Sequence, residues 1–201
     1  MEFGVDGEYP WASWSPDGRR VVCLTKREIQ VVDLERKAVV QTYPRQGIYQ
    51  QLFWSPDGKW FCGVGNHGSE MWTVVRLNLA SGRLNPVRSY QNCTPDWFPD
   101  SDRILFSSRP ANQKANKGYG WTELWMARGD GSEAWIVYGE EGSHIYGGAL
   151  SPDPRYVLFT KTGADPEMRS RYPQAKSATV LTIGEGWEPS WTYTEPQGKK
   201  R

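Results

Sequence analysis

The chain has 201 residues, a net charge of +1 and a hydrophobic content of only 38%. Its 11 Trp and 10 Tyr place that apolar content on rings, which bury large areas, so the chain reads as globular rather than disordered. The balanced charge argues against nucleic acid or an anionic membrane surface as partner, and no apolar run approaches the roughly 18 residues of a membrane-spanning helix.

The opening "MEFGVDGEYP" is acidic and short of apolar residues, so it is not expected to be a signal peptide. Next comes "WSPDG", Trp14 to Gly18, and the same five residues return at Trp54 to Gly58. In Ser-Pro-Asp-Gly, Pro presets φ for the second position of a type I turn, and Asp suits the third. Gly takes the left-handed position of a bulged hairpin, so Asp17, Gly18, Asp57 and Gly58 are read as turn residues. Fainter copies start at Trp97 ("WFPDS", with Asp100) and Leu150 ("LSPDP", with Asp153), and "EPSWTY" places a last Trp at 191. The last two full copies lack Gly and are expected to close differently.

The segment after each motif repeats too: "RRVVCLT", "KWFCGVG", "DRILFSSR" and "RYVLFTK" each run from polar residues into a β-branched and aromatic strand. A third and fourth strand come next: 28–34 and 38–43, 71–79 and 84–89, 122–129 and 134–139. A helix over Lys26 to Gln41 is the rival, but its Val-Val doublets and its place in the repeat favour strands. Four short strands repeated every 40 to 53 residues are the signature of a propeller blade. The expected fold is an all-β, single-domain propeller over 1–201. Its four-stranded antiparallel blades fall near 9–46, 47–91, 92–143 and 144–186, and 187–201 starts a further blade. Trp14, Trp54, Trp97 and Trp191 are then inter-blade core. Cys23 and Cys62, one alignment position apart in equivalent second strands, should point to opposite blade faces.

These residues resemble the WD-like repeat of TolB-type β-propellers. That repeat reads roughly Pro-x-Trp-Ser-Pro-Asp-Gly-Lys, then an apolar strand ending in Ser or Thr. "ELWMARGDGSE" resembles its third strand and turn, and "VLTIGEGWEPSW" its junction between blades. The resemblance implies a periplasmic or otherwise extracytoplasmic location, with the cytoplasm as the alternative, and protein partners in a cell-envelope (translocation) system. A similar propeller gates substrate access in prolyl-oligopeptidase-like serine peptidases. The shared motif carries no catalytic residue. Such propellers usually close with six or more blades. A piece of a larger protein is therefore expected, with a small closed ring or self-association as alternatives.

The broken parts of the repeat hold the candidate site. Ser107 to Trp121 carries Arg109, Lys114, Lys117 and Tyr119 with no acid, and Lys161 to Ser177 adds Arg169 and Arg171. The loops joining second to third strands share a face with those joining one blade to the next. His144 and Tyr146 are therefore expected beside these insertions on a basic, aromatic face, together with Tyr90, Gln91 and Asn92. The sequence offers no GxSxG, P-loop or HExxH, and the two histidines occupy no repeated position. No CxxC is present and His67 lies far from His144, so neither metal nor other cofactor is expected. The expected function is non-catalytic binding of a protein or envelope polymer. A gating propeller whose catalytic domain lies outside this chain is the alternative.

Overall fold

The computed structural model describes residues 11–68, 70–89, 91–109, 122–140, 143–151 and 156–162. Fourteen strands and no helix are present among them, in four antiparallel sheets. The first sheet orders β1 (Trp11–Trp14), β2 (Arg20–Leu24), β3 (Glu28–Asp33) and β4 (Ala38–Pro44) in sequence. The second orders β5 (Ile48–Trp54), β6 (Trp60–His67), β7 (Glu70–Asn78) and β8 (Leu84–Arg88) the same way. The third holds β9 (Asn92–Trp97), β10 (Arg103–Ser108), β11 (Glu123–Arg128) and β12 (Ala134–Tyr138), and the fourth pairs β13 (His144–Leu150) with β14 (Val157–Thr162). The β-branched run from Lys26 to Gln41 is thus two strands. Three four-stranded meanders and half of a fourth are present among the described residues, in keeping with the expected all-β fold of four-stranded antiparallel blades. The remainder of the fourth unit and the start of the next, including Trp191, lie outside the described residues.

The repeated turn is explained by its residues. Gly18 N–H donates to the Ser15 carbonyl at 2.9 Å, and Ser15 N–H to the Arg20 carbonyl at 2.9 Å. Ser15 Oγ donates to Asp17 Oδ1 at 2.6 Å, and that oxygen also accepts from Arg19 N–H. Gly18 sits at φ +68°, and Gly58, in the matching turn, at +71°. The third turn was expected to close differently because Ser replaces Gly. Instead it repeats the same bonds: Ser101 N–H to the Phe98 carbonyl and Phe98 N–H to the Arg103 carbonyl. Ser101 takes φ +59°, a left-handed conformation unfavourable to a residue with a Cβ. Asp100 Oδ1 holds it there by accepting from the N–H groups of Asp102 and Arg103. The fourth turn keeps the outer pair, with Ser151 N–H donating to the Tyr156 carbonyl, while Asp153 lies outside the described residues.

Hydrophobic burial joins successive blades rather than filling one centre. Val22, Leu24, Ile29 and Val31 of the first blade pack with Ile48, Leu52, Phe61 and Leu77 of the second. Cys62 and Val74 pack with Trp97, Ile104 and Phe106 across the next seam, and Leu105 and Leu124 with Ile145 and Leu150 across the third. Each anchor residue faces the preceding blade: Trp54 packs on the first seam and Trp97, 4% exposed, on the second. Trp14 departs from the expectation. It is 65% exposed, because no blade among the described residues stands on its side. Cys62 belongs to the second seam, whereas the register β1–β2 and β5–β6 puts Cys23 on the opposite blade face.

Three residues before Trp54, Trp97 and Leu150 lies a left-handed residue: Gln51 (φ +57°), Thr94 (+51°) and Gly147 (+62°). Each coincides with a register shift in its innermost strand pair, as a β-bulge requires. The bulges bond across the seams in sequence. Thr94 N–H donates to Gln51 Oε1 at 2.7 Å, and Gly147 N–H donates to Thr94 Oγ1 at 3.3 Å. The first-strand ends are thereby fixed relative to one another, which positions the side chains at their heads.

Candidate functional site

The strand directions put the ends of β2, β6 and β10 on one face with the starts of β5, β9 and β13. At the third seam this face brings three expected residues together. β10 runs to Ser108, one residue further than the insertion was expected to begin, and Arg109 comes directly after it. Arg109 is anchored by its own N–H to the Gln91 carbonyl at 3.2 Å. His144 and Tyr146 lie two apart on β13, so their side chains share one face of the strand. Their rings stack with centroids 5.5 Å apart and planes 12° off parallel, and Tyr146 Oη lies 3.1 Å from His144 Nδ1. Thr122 locks this strand: its Oγ1 accepts from Ile145 N–H at 2.7 Å and donates to the Ile145 carbonyl at 2.9 Å.

The local charges are set by burial and by Arg109. Burial lowers the His144 pKa, and the nearby Arg109 charge lowers it further, so the imidazole is neutral at pH 7. Burial raises Tyr146, with Arg109 opposing. Cys93 sits in the same field, pushed up to about 11 mainly by desolvation. It is therefore a neutral thiol, and no reactive thiolate is offered here.

The face carries an acid beside its basic and aromatic residues. Glu140 projects into it, and Lys161 donates to its Oε2 at 2.5 Å. Tyr138 Oη donates to the same oxygen at 2.9 Å, and Ser143 Oγ reaches Oε1 at 3.4 Å. The Lys161 bond is the first cause of a Glu140 pKa below the usual range, so this acid is ionised and already satisfied. Glu140, Tyr138 and Cys93 did not stand out in the sequence as members of this face, whereas Lys161 was expected there as the start of the second insertion. The signal for Glu140 was an acid in "YGEEGSHIY", just before His144. Asn92 is buried, its Nδ2 donating to the Trp72 and Arg88 carbonyls, and acts in the fold rather than at the surface. Tyr90, Lys114, Lys117, Tyr119, Arg169 and Arg171 lie outside the described residues. Among the described residues no group of three or more His, Cys, Asp or Glu converges in a way that would hold a metal ion.

No protein-family model matches this chain, and no curated protein does. Solved structures do. TolB from Acinetobacter baumannii is 18% identical at a TM-score of 0.57, over 74% of this chain and 36% of its own. The hydrazine synthase of Kuenenia stuttgartiensis is 20% identical at 0.57, over 74% and 48%. A structure from a study of two prolyl endopeptidases is 17% identical at 0.51, over 75% and 24%. The chain thus spans less than half the length of each, and the likeness establishes the fold, a TolB-like β-propeller.

Proposed function

We propose that this chain is a propeller module that binds a protein partner through the face carrying Arg109, His144 and Tyr146, and that it catalyses no reaction itself. The observation that carries the reading is the gathering of a guanidinium, a neutral imidazole and a phenol at the head of one seam. Recognition surfaces favour arginine and tyrosine, which supply planar hydrogen bonding and apolar area at little conformational cost. The rigid bulge ladder beneath supports it, because preorganised side chains lose less entropy on binding. The reading includes an extracytoplasmic setting, by likeness to TolB, and further blades of the same repeat beside the exposed Trp14.

The test is capture from a cell-envelope extract by the immobilised 201-residue chain, beside a double variant, Arg109→Ala with Tyr146→Ala. A partner retained by the first and lost by the second is the expected outcome. Equal capture by both sinks the loop-face reading.

A further inference from the structure

We draw no further inference here: the strongest candidate, the outer face of the first blade around the exposed Trp14, carries none because nothing in the structure shows what covers it.

Discussion

Trp14 and Trp97 occupy the same position in the repeat, opposite Val21 and Ile104 in the innermost strand pairs. Trp97 is 4% exposed, packed among Cys62, Val74 and Phe106, with its indole N–H 3.3 Å from the Phe53 carbonyl of the preceding blade. Trp14 is 65% exposed. Closely similar local sequence has produced the same turn and strand and two different energetic roles. A blade in a repeat protein gains its tertiary stability from its neighbours, so the contribution of a side chain depends on whether a neighbour stands on its side.

The comparison is broken most directly at Trp97. Trp97→Ala removes a buried indole from the second seam, and filling by the surroundings is limited by the rigid sheets on either side. The expected loss is about 3–5 kcal/mol in urea or thermal unfolding, a large part of the whole stability of a typical domain. A loss under about 1 kcal/mol would mean that the seams do not carry the stability assigned to them.

Seams also differ from one another, and pH separates them. Asp96 Oδ2 accepts from Leu150 N–H at 3.2 Å across the third seam, and desolvation raises its pKa from 3.8 to about 6. The repeat places Ser13 and Phe53 at the equivalent positions of the first two blades, and Ser13 Oγ donates to the Leu52 carbonyl at 2.7 Å. Only a carboxylate among these can titrate. Its folded pKa lies above its unfolded one, so the folded state binds the extra proton. The Asp96 contribution therefore grows as pH falls from about 7 toward 4, by roughly 1–3 kcal/mol. Asp17, Asp57, Asp100 and Glu140 are shifted the other way and lose their stabilisation only at lower pH. Unfolding free energies at pH 7 and pH 5 should rise toward pH 5 in the wild type and flatten in Asp96→Asn. An unchanged slope in the variant would assign the effect elsewhere.

The blade pattern was legible because Ser, Pro, Asp and Gly of the repeated motif have turn tasks that depend only on neighbours in sequence. Strand order and turn chemistry derive from that, and the seam role of Trp54 and Trp97 from the recurrence of the motif. The Ser101 turn was misjudged because the Asp100 carboxylate and the strand pairing enforce a conformation that local propensity disfavours. The bulge ladder was invisible for the same reason: Gln51, Thr94 and Gly147 share a φ angle, not a residue type. At the candidate site, Arg109, His144 and Tyr146 could be named from the broken repeat. Their mutual arrangement, and the neutralisation of Glu140 by Lys161, arise from strand pairing and from contacts between distant parts of the chain, which spacing alone does not encode.

The smallest effect is the sharpest test of the comparison. Trp14→Ala changes a side chain that most resembles an exposed surface group, so its stability cost should stay within about 0.5 kcal/mol. The turn below it is untouched, because Ser15, Asp17 and Gly18 close that hairpin through their own backbone and side-chain bonds. Measured beside Trp97→Ala under the same conditions, the variant holds sequence context nearly constant and varies only the presence of a neighbouring blade. If Trp14→Ala cost as much as Trp97→Ala, the outer face of the first blade would be covered in solution. The difference between the two tryptophans would then vanish. A small cost makes the neighbour, rather than the motif, the source of the seam energy.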